Sequence, residues 1–142
     1  MPDSSVLIMN ACILYYSQTG NTKKFAEKIS NSLNNSKTYD ITTNQPSVVK
    51  QHDIIILGTP VHGFNPSKES IAFVKQLPEG SGKKTVLFCT YRLWKGRVFS
   101  KLKGELKKRG YSTILCVSAK AKEFTDADFV APAQKIVETI KE

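Results

Sequence analysis

At 142 residues, with 40% hydrophobic and 23% charged side chains, the chain is long enough to bury one proper core and too short for two ordinary domains. A single domain over 1–142 is therefore expected. No apolar stretch approaches transmembrane length and no basic residue precedes the first apolar run, so neither a membrane span nor a secretory signal is expected and the protein reads as soluble and cytoplasmic. The formal net charge of +9 directs attention to acidic partners.

Taken in chain order, apolar or β-branched runs alternate with helical patterns. Strands are expected at Val6–Tyr16, Thr38–Ile41, Asp53–Leu57, Thr85–Thr90 and Thr113–Val117. Helices are expected where Phe25, Ile29 and Leu33 recur, then Ile71, Val74 and Leu77, then Phe99, Leu102 and Leu106, and finally Phe129, Ala133, Ile136 and Ile140. The stretch from Thr42 to His52, holding Pro46, is short for a crossover helix and predicts an abbreviated helix or turn. Met1 to Ser5 and the Asn/Ser-rich Asn31 to Ser36 are the disorder-prone pieces, and no internal repeat is present. Such alternation argues for right-handed βαβ units and a parallel sheet covered on both faces.

The richest motif is Ser17-Gln18-Thr19-Gly20-Asn21-Thr22, lying between the first strand and the first helix. Backbone N–H groups converge at such a turn, the first helical turn leaves its donors unpaired, and the dipole favours an anion. The hydroxyls of Ser17, Thr19 and Thr22 can donate too, and Gly20 lets the backbone bend. A plain helix cap needs one such residue rather than a polar run around a glycine. The turn reads as a phosphate site.

These residues resemble the FMN phosphate loop of flavodoxins, and the resemblance runs from about Ala11 to the C-terminus. Ile54-Ile55-Ile56-Leu57-Gly58-Thr59-Pro60-Val61-His62-Gly63 is similar to the family's third strand and the loop lying against the flavin ring. Val86 to Tyr91 and the polar loop after it stand where the family keeps its second ring-binding loop, although Arg92-Leu93-Trp94-Lys95-Gly96-Arg97 departs from the glycine-rich, acid-containing stretch often found there. The resemblance implies an α/β fold, a flavodoxin-like three-layer sandwich with a five-stranded parallel sheet of order 2-1-3-4-5. Its ligand would lie beyond the carboxyl ends of strands one and three. FMN would be held at its phosphate by Ser17, Gln18, Thr19, Gly20, Asn21 and Thr22. Its ring would lie between Thr59, Pro60, Val61, His62, Gly63 and Phe64 on one side and Thr90, Tyr91, Trp94 and Gly96 on the other. Phe64, Tyr91 and Trp94 are the stacking candidates. Gly63, or the Val61–His62 peptide, is where a backbone carbonyl can turn toward flavin N5. His62 either donates to the flavin or carries a charge near it, or simply faces water.

Other nucleotide folds fail on the same residues. Gly58 and Gly63 have P-loop spacing but Phe64 follows, and no GxGxxG follows the first strand. Clustered aspartates and a Cys-x5-Arg loop are both missing after strand one. Cys12, Cys89 and Cys116 show no CxxC spacing, and His52 and His62 are the two histidines. A zinc or iron–sulfur site is not expected, and the thiols read as buried structural groups.

Between Lys83 and Arg109 lie ten basic residues and one acid, Glu105; the remainder of the chain is balanced, so the whole excess of +9 sits in that segment. A solvated basic face is one reading. Docking of a redox partner protein with an acidic surface is the functional one, and nucleic acid ranks below it for want of a recognition motif. Positive surroundings favour the anionic reduced ring, so the second one-electron potential is expected to be less negative than in acidic flavodoxins, by about 59 mV for each ~1.4 kcal/mol. The function expected is a monomeric one-electron shuttle. An FMN-dependent NAD(P)H:acceptor reductase of the quinone type is the alternative, and a flavodoxin-like docking module without flavin is a third.

Overall fold

The computed structural model describes residues 10–62, 65–91, 94–120 and 126–141. In chain order these form β1 (Ala11–Tyr15), α1 (Asn21–Asn31), β2 (Ser36–Asp40), a 3-10 turn (Pro46–Gln51), β3 (Ile54–His62), β4 (Asn65–Pro66), α2 (Lys68–Lys75), β5 (Lys84–Tyr91), α3 (Val98–Lys108), β6 (Ser112–Lys120) and α4 (Asp126–Lys141). The sheet runs β2-β1-β3-β5-β6 with every neighbour parallel. Strand for strand this is the 2-1-3-4-5 order the sequence predicts. A sixth, unexpected strand, β4, pairs antiparallel with the end of β3.

The central strands are buried on both sides, as a parallel sheet between helices must be. Alternation sorts their side chains into two cores. Ala11, Ile13 and Tyr15 of β1, Ile54 and Ile56 of β3, and Val86 and Phe88 of β5 pack against α1 and α4 through Phe25, Ile29, Phe129 and Ile136. Cys12, Leu14, Ile55, Leu57 and Leu87 face the other way, onto Val49, Phe73, Leu102 and Leu106 from the 3-10 turn, α2 and α3. Three mutually tilted aromatics centre the first core, Phe25 lying 4.6 Å from Phe88 and 5.3 Å from Phe129 between ring centroids.

Several boundaries differ from the sequence pattern. β3 continues five residues beyond Leu57 because Gly58, Thr59 and Pro60 stay in register with Phe88, Cys89 and Thr90; backbone pairing does not need apolar side chains. β2 begins at Ser36, inside a stretch read as disorder-prone, because its backbone pairs with Ala11 and Cys12. On α3 the buried stripe is Val98, Leu102 and Leu106, at intervals of four, and Phe99 is only half-buried. On α2, Phe73 fills the core place expected of Ile71. The crossover between β2 and β3 is short, as Pro46 predicts, and Pro46 opens the 3-10 turn. Val6 to Met9, read as the start of the first strand, lie outside the described residues. Among those described, no helix is long and apolar enough to cross a membrane.

Candidate functional site

The carboxyl ends of β1, β3 and β5 share one edge of the sheet. Tyr15 is level with Gly58, and Pro60 with Thr90, so the segments after Tyr15, around Thr59 and at Thr90 are brought together by register alone. β2 and β3 leave β1 on opposite sides, making this edge the point where the strand order switches.

The turn from Ser17 to Gly20 connects β1 to α1. Gly20 sits at φ +93°, a left-handed conformation that side chains resist, and serves as the N-cap of α1. Its N–H donates to Ser17 Oγ at 3.0 Å, which leaves the Ser17 proton to donate elsewhere. Asn21 Nδ2 donates to Thr19 Oγ1 at 3.2 Å. The first helical bond is Lys24 N–H to Gly20 O, 3.0 Å, so the amides of Asn21, Thr22 and Lys23 have no acceptor within the helix. Gln18 and Thr19 are exposed, and a Cβ built on Gly20 would meet no atom within 4 Å. Oriented amide donors therefore face open space, which fits an anion.

Thr22 behaves differently from the rest of the motif. It is buried, and its Oγ1 lies 3.1 Å from Thr90 Oγ1. That bond ties the first turn of α1 to the end of β5. Thr59 is likewise buried: its hydroxyl donates to Pro60 O at 2.9 Å and accepts from Ser67 N–H at 3.1 Å. Ser67 in turn caps α2, accepting from Ser70 N–H at 3.1 Å. Ser67 stands outside the motifs described above, although Ser-Lys-Glu ahead of an apolar pattern is a helix-start signal. Together Thr59 and Ser67 fix the base of a hairpin in which Val61 pairs with Pro66 and His62 with Asn65. Pro60 and Val61 are half-buried and His62 is exposed. Gly63 and Phe64, at the tip, lie outside the described residues.

On the other side, Tyr91 is half-buried at the end of β5, and Lys95 Nζ sits 5.8 Å from its ring centroid. Trp94 is 64% exposed, and Gly96 is exposed beyond it; Arg92 and Leu93 lie outside the described residues. Cys89, the thiol nearest this loop, is buried, and burial pushes its pKa up to about 12 against a smaller lowering by Lys95. It is a core group rather than a nucleophile. Cys12 is raised to about 12 for the same reason, and Cys116 is half-buried. Among the described residues no group of three or more His, Cys, Asp or Glu side chains is placed to hold a metal ion.

A cavity of about 640 Å³ adjoins the site. Gln18 and His62 lie on its wall, but most of it is made by β4, α2 and Lys101 of α3. It adjoins the Ser17–Thr22 turn rather than continuing it.

The family described as the Flavodoxin domain matches residues 12–109, from β1 through α3. The chain belongs to the flavodoxin family. The uncharacterized protein MJ0298 of Methanocaldococcus jannaschii is 28% identical over 109 residues, covering 75% of this chain and 71% of that relative. The solution structure of two-electron reduced Megasphaera elsdenii flavodoxin superposes with a TM-score of 0.76 at 24% identity, over 92% of this chain and 98% of that one. A flavoprotein from Lactobacillus acidophilus NCFM, solved in complex with FMN, gives a TM-score of 0.65 at 20% identity, over 78% of this chain and 93% of the other. The fold is flavodoxin-like, and the Ser17–Thr22 turn and the β3 end lie inside the span that the family matches.

Proposed function

We propose that this flavodoxin-family protein binds FMN at the carboxyl edge of its sheet and carries single electrons between redox partners. The observation that carries the proposal is the turn at Gly20, where left-handed backbone and the open amides of α1 form a cradle suited to a dianionic phosphate. Bound there, FMN supplies one-electron chemistry. The chain's own residues bind and orient it. Ser17 and Thr19 would add hydroxyl donors to the backbone of Gln18 through Thr22, with Thr22 acting through its N–H while its side chain holds Thr90. On the ring side, Pro60, Val61 and His62 would form one wall, kept in place by Thr59 and Ser67, and Thr90, Tyr91, Trp94 and Gly96 the other. Exposed Trp94 and half-buried Tyr91 are the aromatics that could offer a flat face to a heterocycle.

Anaerobic photoreduction of the FMN-loaded protein, with NADH or NADPH added to parallel samples, tests the carrier role. Two resolved one-electron steps in the absorption spectrum, and no bleaching by either nucleotide, are expected. Rapid bleaching by a nucleotide in a single two-electron step would instead establish a reductase.

A further inference from the structure

Lys83 and Arg109 hold backbone carbonyls, and Lys107 and Lys108 complement the C-terminal end of α3, but the charge at the other end of α3 does not serve the fold. Arg97 caps α3 at its N-terminus, Lys101 follows in the first turn, and no acidic residue offsets them there. Cations at that end oppose the helix dipole, typically by a few tenths of a kcal/mol each. Glu105, the one acid of the basic segment, is committed to Lys108 at 3.3 Å, and this is the salt bridge found among the described residues. Lys101 instead faces α2 across the cavity of about 640 Å³, where Lys68 and Lys75 stand on the same wall as Ile71. Their spacing of three and four puts the two lysines and the isoleucine on one stripe of α2. Three cations thus rim an apolar floor, with Glu69 as the single acid in the lining. The groove opens beside Gln18 and His62, which belong to the candidate cofactor site.

We propose that the groove between α2 and α3 docks an acidic segment of the redox partner, carboxylates on Lys68, Lys75 and Lys101 and an apolar side chain on Ile71. The partner's identity as a redox protein rests on the carrier reading; the surface itself does not. An apolar floor within a lysine rim matches a peptide that carries both kinds of side chain, and has little to offer a bare phosphate backbone. Complementary charge raises the rate of encounter and fixes orientation, and this groove would bring the partner to the edge where Gln18 and His62 lie.

The test is a titration of the full-length, isotope-labelled protein, with and without FMN, by a short peptide of alternating Glu and Leu. A Lys–Leu peptide and a single-stranded oligonucleotide are run beside it. Amide shifts confined to 65–75 and 95–108 are expected, with affinity falling as salt rises. The charge reversal K75E/K101E should weaken binding at least about tenfold, and K75Q/K101Q by less, whereas K50E/K135E elsewhere on the surface should change it less than about threefold. Shifts spread over the whole surface, or equal losses from K50E/K135E, would overturn the proposal by reducing it to net charge. Tighter binding of the oligonucleotide on the same residues would overturn it in favour of nucleic acid. If the protein takes up no FMN yet still binds the peptide on these residues, the carrier reading falls and the acidic-partner groove stands.

Discussion

Gly58 shows how one residue serves packing inside a functional motif. A Cβ built there would lie 2.0 Å from Phe88 Cζ on the neighbouring strand, and Phe88 is fully buried against Phe25. Gly58→Ala therefore has to displace the aromatic stack, and a loss of about 1–3 kcal/mol in urea unfolding is expected. His52 gives a pH-dependent counterpart. Asn10 Nδ2 donates to Gln51 O, which turns its Oδ1 to His52 Nδ1 at 2.7 Å, while His52 Nε2 lies 2.8 Å from Tyr39 Oη. That arrangement suits a neutral ring with the proton on Nδ1 and Tyr39 donating to Nε2. Burial, then Lys83 and Lys37, lower its pKa, against Asp53. Below about pH 6.5 the unfolded chain binds a proton that the folded one resists, so stability should fall as the pH drops through that value. Unfolding free energies at about pH 7 and 5.5 should show this slope, and His52→Gln should flatten it. Neither role could be read from sequence: Phe88 reaches Gly58 through the register of β3 and β5, and Tyr39 meets His52 only when the crossover between β2 and β3 folds back.

At the scale of elements, what was legible was local. Strand, polar turn and helix stand consecutively around Gly20, so donor geometry, helix start and anion preference all follow from neighbouring residues. The end of β3 was not legible: apolar side chains stop at Leu57, but the ladder with β5 and the hairpin with β4 continue to His62. On α3, either Phe99 or Val98 satisfies the helical spacing with Leu102 and Leu106, and only packing chooses Val98. The cavity beside the site was invisible for a similar reason, since Lys101 reaches Lys68 and Lys75 through the docking of two helices. Gly20→Ala isolates the phosphate turn, because a new Cβ meets no neighbour and only the left-handed backbone objects. The substitution should cost about 1–2 kcal/mol of stability or shift the turn. In either case FMN affinity should drop roughly tenfold, equivalent to ~1.4 kcal/mol, in a fluorescence titration.

For the molecule as a whole, charge was fully legible and its destination only partly so. The sequence places the entire +9 between Lys83 and Arg109; the fold puts Lys95, Arg97 and Lys101 toward the carboxyl edge of β5, while Lys83, Lys84, Lys107, Lys108 and Arg109 stand at the opposite end of the sheet. The positive charge at the carboxyl edge would favour added electrons on the proposed flavin. Raising salt shortens the screening length from roughly 30 Å at 0.01 M to about 3 Å at 1 M, so the second reduction potential of the FMN-loaded protein should become more negative with salt. A spectroelectrochemical titration that found the opposite trend would show that the local field at the ring is negative. The most direct measurement of all compares FMN with riboflavin in parallel binding titrations at one salt concentration. Recognition through the phosphate turn predicts that FMN binds and that riboflavin, lacking the phosphate, binds at least about a hundredfold more weakly, some 2.7 kcal/mol. Equal affinities, or binding of neither, would contradict the assignment of Ser17 to Thr22 as the cofactor's anchor.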